Sequence, residues 1–310
     1  MITKDLLSIS QLTSEDFASL LASASEMKNG ARKPLLPGVT LALLFEKPSL
    51  RTKVSFDVAA SHLGGHAIYL SPAEVGLGKR EPVADVARVL SRYVDIIAAR
   101  TFSHETVELL AKHASVPVIN ALDDSEHPCQ ALADLLTIQE HKGRLKGVNV
   151  VYVGDGNNVA HSLMLACALG GANIALACPK GYEANPQVIK QTQKFARASG
   201  SRVTCVEDSR SVMAGADVVY TDVWTSMGQE GESEKRRVVF AKYQVNPEML
   251  SLAAKDVIFM HPLPAHAGEE VSAGLLDRPE SVVFDQAENR LHVQKALMFE
   301  LLKARFDPKQ

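Results

Sequence analysis

The stretch VTLALLFEKPSLRT, residues 39–52, decides the first part of the fold. Its apolar run at residues 39–46 is typical of a buried β-strand, and the polar residues behind it are typical of a helix start. Ser49, Arg51 and Thr52 bring two hydroxyl groups and one guanidinium to that start. A helix N-terminus offers unpaired N–H donors and the positive end of a dipole, so the stretch predicts a site for a dianion such as phosphate.

A purely structural interpretation of these residues stays open. Ser49 can cap a helix whose first turn, with Arg51 and Thr52, faces solvent. The stretch also lacks the Gly-x-x-x-x-Gly-Lys-Ser/Thr spacing of a nucleotide P-loop. A small phosphorylated metabolite is therefore a better candidate ligand than a nucleoside triphosphate.

Composition limits the class of protein. The chain has 310 residues, 46% of them hydrophobic and 22% charged, which suits a soluble protein of two domains. Its net charge of -3 gives no basic field for nucleic acid or an anionic membrane, and no apolar run is long enough for a membrane span. The cysteines show neither CxxC nor Cys/His ligand spacing, which favours free thiols. We expect a cytoplasmic protein whose partners are small molecules or copies of itself, with no nucleic acid and no membrane.

Strand and helix patterns alternate along the whole chain. In the first half, strands are expected at residues 39–46, 66–70, 94–99 and 116–120, and helices at 14–28, 51–63, 83–92 and 105–113. In the second half, strands are expected at 148–154, 173–178, 202–206, 218–222, 257–260 and 282–284, before a last helix at 291–305. Such alternation predicts an α/β protein with doubly wound parallel sheets.

Two such domains are predicted, joined by a long helix at residues 128–141. The polar break that follows this helix places a boundary after residue 142. We expect one domain at residues 1–142 and another at residues 143–289. The C-terminal helix, within residues 290–310, is expected to return to the first domain.

The second domain begins with a turn, GDGNNV at residues 154–159, that matches part of a dinucleotide-binding fingerprint. The match fails because Val159 stands where the third glycine belongs, and the next strand ends in CPK rather than in an acid. An NAD site is therefore not expected. The turn still places an aspartate and two asparagines at the carboxyl end of a strand, where open α/β sheets bind ligands.

Three further segments carry polar groups that have two interpretations each. His127 and Gln130 can cap the long helix, or they can polarise a carbonyl oxygen from its N-terminus. Asp222 can begin a turn, or it can hold an ammonium group while Ser226 follows on a closing loop. Arg290 can be a surface charge or a second guanidinium for the anion.

A run of basic residues, Lys235-Arg236-Arg237, is expected to be a solvated loop.

Taken together, these segments resemble the aspartate/ornithine carbamoyltransferase family, in the same order and over nearly the whole chain. Residues 45–56 are similar to the loop that binds carbamoyl phosphate, and residues 85–100 are similar to the segment whose final arginine holds the same ligand. HPCQ at residues 127–130 matches the carbonyl-polarising pair. DVWTSMG at residues 222–228 is similar to the loop that closes over ornithine, and GDGNN to the turn whose second asparagine meets the amino acid.

The resemblance implies attack of the δ-amine of L-ornithine on carbamoyl phosphate, which gives L-citrulline and phosphate in arginine biosynthesis. It implies no metal, no cofactor and a homotrimer. The catalytic residues it implies are Arg51, Arg100, His127, Gln130 and Asp222. The residues implied to bind carbamoyl phosphate are Ser49, Leu50, Arg51, Thr52, Arg100, His127, Gln130, Pro262, Leu263 and Arg290. Those implied to bind ornithine are Asn158, Asp222, Ser226 and Met227.

Three residues depart from the family pattern. Pro262 stands where the ornithine enzymes usually carry cysteine, Leu50 replaces a usual threonine, and Gly76 occupies a position that often carries glutamine. Proline at 262 is more typical of the aspartate enzymes. Putrescine, acylated ornithine and aspartate therefore stay open as alternative acceptors, and so does a non-catalytic regulator that only binds carbamoyl phosphate.

Overall fold

The computed structural model describes residues 4–30, 33–226 and 230–306. The chain forms two compact units. Unit 1 contains Met1–Ala133 and Glu288–Gln310, and unit 2 contains Asp134–Ala287. Both divisions fall within helices, and the predicted boundary after residue 142 stays a prediction.

Unit 1 is built on a four-stranded parallel sheet in the order β2-β1-β3-β4. Its strands are β1 (Thr40–Phe45), β2 (His66–Leu70), β3 (Ile96–Arg100) and β4 (Val118–Leu122). The helices of this part of the chain are α1 (Ser14–Asn29), α2 (Leu50–His62), α3 (Pro72–Val75), α4 (Val83–Leu90), α5 (His104–His113) and α6 (Pro128–Lys142), the last of which continues into unit 2. Strands β1, β3 and β4 are buried almost throughout, which explains their continuous apolar sequences.

Unit 2 is built on a five-stranded parallel sheet in the order β7-β6-β5-β8-β9. Its strands are β5 (Asn149–Val153), β6 (Asn173–Ala177), β7 (Val203–Val206), β8 (Val218–Thr221) and β9 (Ile258–Met260). The helices that follow are α7 (Asn158–Gly170), α8 (Pro186–Ser199), α9 (Ser233–Phe240), α10 (Pro247–Leu250) and α11 (Val283–Leu302). The two parallel sheets confirm the predicted fold class. Within the described ranges, no helix has the length and apolar character that crossing a membrane demands.

The predicted strand at residues 282–284 is wrong. Val282 donates its N–H to Phe259 at 3.0 Å beside a single bridge at Ser281, and the chain then turns directly into α11. The helix begins at Val283 rather than at residue 291, and its first turns carry several polar residues. Gln286, one of them, is fully buried. The other predicted strands and helices are confirmed to within about two residues at each end.

Close backbone packing explains the second glycine of the GDG turn. A Cβ at Gly156 would lie 2.2 Å from the backbone nitrogen of Ala184 and 2.5 Å from the carbonyl carbon of Glu183. No side chain fits there without a shift of main chain. The partial dinucleotide fingerprint is therefore a consequence of packing within unit 2.

We expect Gly156→Ala to lower the free energy of unfolding by at least about 2 kcal/mol, because an overpacked backbone contact has no flexible side chain to absorb it. Gly231→Ala is the matched control, since a Cβ at Gly231 meets nothing within 4 Å. Urea denaturation of both variants measures the difference. Equal stability of the two variants would contradict the packing argument.

Candidate active site

The residues of unit 1 that are predicted to bind phosphate include several at the carboxyl end of its sheet. The sheet order reverses between β1 and β3, and open α/β sheets bind ligands at such points. Phe45 pairs with Arg100 in register, and the N–H of Glu46 donates to the carbonyl oxygen of Arg100 at 2.8 Å. The loop before α2 and the last residue of β3 are thus held side by side.

Ser49 is the N-cap of α2. Its Oγ accepts the N–H of Thr52 at 3.3 Å, so the predicted cap is confirmed, but Thr52 is fully buried rather than facing solvent. The cap does not exclude an anion, because the N–H groups of Leu50 and Arg51 belong to the first turn, where no intrahelical acceptor exists. The side chain of Leu50 is exposed, and its replacement of threonine leaves this backbone donor in place.

Arg290 is a buried residue of the first unit. It lies in the part of α11 that belongs to unit 1, and its Nη2 donates to Oγ1 of the fully buried Thr52 at 2.7 Å. The structure therefore excludes the surface-charge interpretation of Arg290. Because Oγ1 accepts from the guanidinium, the Thr52 hydroxyl keeps its own proton for donation elsewhere.

Positive charge is concentrated around Arg100. Burial, together with the charges of Arg290 and Arg51, lowers the pKa of Arg100 to about 10. Within the described ranges, Nε of Arg100 is buried without a hydrogen-bond partner. Like charges brought together in a buried place favour an anionic ligand, since a dianion would supply both the missing acceptor and the missing negative charge.

His127 and Gln130 lie at the start of α6 and are almost fully buried. The backbone carbonyl of His127 accepts the N–H groups of Gln130 and Ala131, which are the first hydrogen bonds of the helix. Burial, aided by the charges of Arg290 and Arg100, holds the pKa of His127 well below its usual range. A neutral imidazole and an amide can both donate to a carbonyl oxygen that gains negative charge.

The residues of unit 2 that are predicted to bind the acceptor follow β5 and β8, between which the sheet order reverses. Asn157 caps α7 with Oδ1, which accepts from Val159 and Ala160, while its Nδ2 donates to Oδ2 of Asp222 at 2.8 Å. The structure thus joins Asn157 to Asp222. The role predicted for Asn158, whose Oδ1 accepts the N–H of Val159, stays a prediction.

Asp222 is buried at the end of β8. Burial raises its pKa, while the hydrogen bond from Asn157 acts against the increase. A cationic group would satisfy such a carboxylate better than an amide does. Ser226 lies farther along the same loop and is partly buried, whereas Met227 lies outside the described residues.

Arg236 corrects the expected solvated loop at residues 235–237. It lies on α9 and is 5% exposed. Its Nη1 donates to Oδ2 of Asp155 at 2.8 Å and to the carbonyl oxygen of Trp224 at 2.9 Å. The guanidinium also stacks over Tyr182, 4.9 Å from the ring centroid. Arg236 therefore connects the turn after β5 to the loop that carries Asp222, a role hidden in the sequence by its two charged neighbours.

The turn after β9 is fixed by its histidine. Nδ1 of His261 accepts the N–H of Leu263 at 2.9 Å, and Nε2 lies 3.2 Å from Oε1 of the buried Glu270. This arrangement requires the tautomer with its proton on Nε2. Pro262 and Leu263 belong to this turn in unit 2, and their predicted contact with carbamoyl phosphate stays a prediction.

The local backbone explains why glycine stands at position 76. It ends α3 in the left-handed region, with φ of 55°, and a Cβ there would lie 2.9 Å from Cβ of Arg80. A glutamine at this position would need a different local backbone.

Comparison with known proteins agrees with this geometry. Residues 4–140 match the carbamoyl-P binding domain of the aspartate/ornithine carbamoyltransferase family, and residues 146–301 match its Asp/Orn binding domain. The chain belongs to this family. It is 55% identical to the ornithine carbamoyltransferase of Bacillus subtilis over 299 residues, which cover 96% of this chain and 94% of the relative.

Solved structures of the family have the same fold. The ornithine carbamoyltransferase of Pyrococcus furiosus is 54% identical, with a TM-score of 0.92 and coverage of 95% of this chain and 96% of that chain. A mutant of N-acetyl-L-ornithine transcarbamylase is 32% identical, with a TM-score of 0.88 and coverage of 96% and 100%. Enzymes named for different acceptors thus share this fold, so the acceptor must be argued from side chains.

We expect Arg236→Met to lower the free energy of unfolding by roughly 3 to 5 kcal/mol, because it leaves the buried carboxylate of Asp155 without its cation. Arg237→Met is the matched control, since Arg237 makes an exposed pair with Glu269 that is worth at most about 1 kcal/mol. Urea denaturation compares the two variants. Similar losses would show that Arg236 is no more important than a surface arginine.

Proposed function

We propose that this chain transfers the carbamoyl group of carbamoyl phosphate to the δ-amine of L-ornithine, giving L-citrulline and phosphate in arginine biosynthesis. The observation that carries the proposal is the cationic group of unit 1, in which Arg290 donates to Thr52 and the charges of Arg290 and Arg100 help to lower the pKa of the buried His127. The ornithine carbamoyltransferases of Bacillus subtilis and Pyrococcus furiosus, both more than half identical to this chain, support the same reaction.

The residues of unit 1 have two separate tasks in this reaction. Arg51, Arg100 and Arg290, with the first N–H groups of α2, stabilise the phosphate as it leaves. His127 and Gln130 donate to the carbonyl oxygen, which becomes an oxyanion when the amine adds. One such donor is typically worth about 3 to 4 kcal/mol in the transition state. The low pKa of His127 suits this task, because the imidazole stays neutral and cannot trap the phosphate as an ion pair.

The residues of unit 2 bind the amino acid. Asp222 accepts from the α-ammonium group of ornithine, and Asn158, Ser226 and Met227 complete the contacts to its α end. Asn157 keeps the Asp222 carboxylate in place. An acceptor that lacks a free α-ammonium group would leave the buried charge of Asp222 without a partner, which disfavours acylated ornithine.

The attacking amine must be neutral. The δ-amine of free ornithine titrates near about 10.4, so only a small fraction is nucleophilic at neutral pH, and the rate rises with pH until the amine is deprotonated. Pro262 has no side-chain donor or acceptor, so the backbone carbonyls of the turn after β9 orient the amine where related enzymes carry a thiol.

We also propose that the protein is a cytoplasmic homotrimer. Membership of the family supports the trimer, and light scattering of the purified protein tests it. The expected mass is about three times the 33.5 kDa of one chain.

A citrulline assay on the purified protein tests the proposed reaction directly. With carbamoyl phosphate at saturation, ornithine, N-acetylornithine and putrescine are compared as acceptors by kcat/KM, and aspartate is followed by phosphate release. The kcat/KM for ornithine should exceed that for each other amine by at least about a hundredfold. Faster turnover of another amine would overturn the acceptor assignment, and no turnover of any amine would favour a binding protein.

We expect Arg51→Ala to lower kcat/KM for carbamoyl phosphate by about two to three and a half decades, or roughly 3 to 5 kcal/mol, because the departing phosphate loses a guanidinium. Arg88→Ala is the control, since Arg88 is an exposed residue of unit 1 that pairs with Asp85. Steady-state kinetics of both variants gives the comparison. If Arg51→Ala lowers kcat/KM by less than about threefold, Arg51 does not bind the phosphate, and the polar residues at the start of α2 only cap the helix.

We expect Asp222→Asn to weaken the binding of ornithine by about 2 to 3 kcal/mol, because the amide keeps the shape of the carboxylate but loses the charge-assisted hydrogen bond. KM for carbamoyl phosphate should change little. Norvaline keeps the α end of ornithine and lacks the δ-amine. As an inhibitor it should bind the variant more weakly than the parent, by the same amount as ornithine does. Equal weakening of carbamoyl phosphate and ornithine would instead indicate a folding defect.

A further inference from the structure

The turn after β9 carries a second polar group that the transfer reaction does not use. His266, Glu269 and Glu270 follow the Leu263–Pro264 turn within the sequence HAGEE. Each offers one ligand atom, and the three atoms lie within 4.8 Å of one another. Their residues are exposed, partly buried and fully buried, respectively, so the group extends from the surface of unit 2 inward.

Glu270 supplies an independent sign of a missing ligand. Its Oε1 accepts the backbone N–H of His266 at 2.6 Å and lies 3.2 Å from Nε2 of His261. Its Oε2 is also buried, yet it has no hydrogen-bond partner within the described ranges. Nδ1 of His266 lies 4.0 Å from Oε2, which is too long for a hydrogen bond.

A buried carboxylate oxygen that lacks a hydrogen-bond donor, as Oε2 of Glu270 does within the described ranges, is unfavourable by itself. A cation placed between Oε2 and the His266 ring would remove that cost.

The donor set selects the kind of cation. One imidazole nitrogen with two carboxylate oxygens suits zinc, whereas magnesium and calcium prefer oxygen ligands alone. Two ligands of one tetrahedral zinc ion lie about 3.3 to 3.5 Å apart, given bonds of roughly 2.0 to 2.2 Å. The 4.0 Å between Nδ1 and Oε2 closes to this separation by a small rotation of His266, whose side chain is 50% exposed.

We propose that His266, Glu269 and Glu270 bind one zinc ion per chain. Water completes the coordination, because three protein ligands leave a tetrahedral position open. The ion fastens His266 to Glu270, and Glu270 in turn holds His261, so the bound metal stiffens the turn that carries Leu263. Arg237 competes for the site, since its Nη2 lies 2.8 Å from Oε1 of Glu269.

Zinc titration of the full-length protein against a chromophoric chelator tests the site. The parent carries Cys205→Ser, which removes the exposed thiol as a competing ligand. One zinc ion should bind per chain, and His266→Ala should weaken it by at least about thirtyfold and Glu269→Gln by at least about tenfold. Arg237→Met should tighten binding by about threefold, because it releases Glu269.

His141→Ala is the matched control. Nε2 of His141 lies 2.9 Å from one carboxylate, that of Asp285, so it tests whether any histidine paired with an acid would serve. Its zinc affinity should stay within about twofold of the parent. Zinc should also raise the melting temperature of the parent and not that of His266→Ala, while magnesium should change neither. Absence of zinc binding in the parent, or equal affinity in His266→Ala, would overturn the proposal, and neither result depends on the transfer activity.

Discussion

Repulsion between guanidinium groups, two of them buried and one partly buried, is the constraint on which the rest of unit 1 depends. Arg51, Arg100 and Arg290 come from three separate elements, and the charges of Arg51 and Arg290 disfavour the charged form of Arg100, as its reduced pKa shows. Such an arrangement persists only where the surrounding fold holds it, and it is useful because a dianion relieves it. The buried strands, the Ser49 cap and the bond from Arg290 to Thr52 are the parts that hold it.

Unit 2 shows the opposite charge pattern at the equivalent end of its sheet. Two buried carboxylates, Asp155 and Asp222, lie on neighbouring strand ends, and burial raises the pKa of both. Arg236 neutralises Asp155 through a direct ion pair, whereas Asp222 receives the amide of Asn157. The difference explains the division of tasks. Asp155 is structural, and Asp222 keeps a charge with which a substrate ammonium group can pair.

Both sheets could be predicted from the sequence, because parallel strands buried on both faces have continuous apolar sequences that are visible in a short window. Prediction failed at residues 282–284, where the apolar stretch VVF resembles a short strand but contains the start of α11. It also failed at Arg236, because burial of one of three consecutive basic residues depends on partners 12 and 81 positions away. Asn157 and Asn158 are chemically the same, so only the backbone could show which of them contacts Asp222. Long-range contacts of this kind are not encoded in local pattern.

Thermal unfolding with and without inorganic phosphate, at constant ionic strength, tests the central claim most directly. Phosphate is a product of the proposed reaction and a ligand of the native state, so it should raise the melting temperature of the parent protein. Arg100→Met keeps the shape of the side chain and removes one of the repelling charges. The account predicts that this variant melts at or above the temperature of the phosphate-free parent and no longer responds to phosphate. A variant that is less stable and retains the full phosphate response would contradict it.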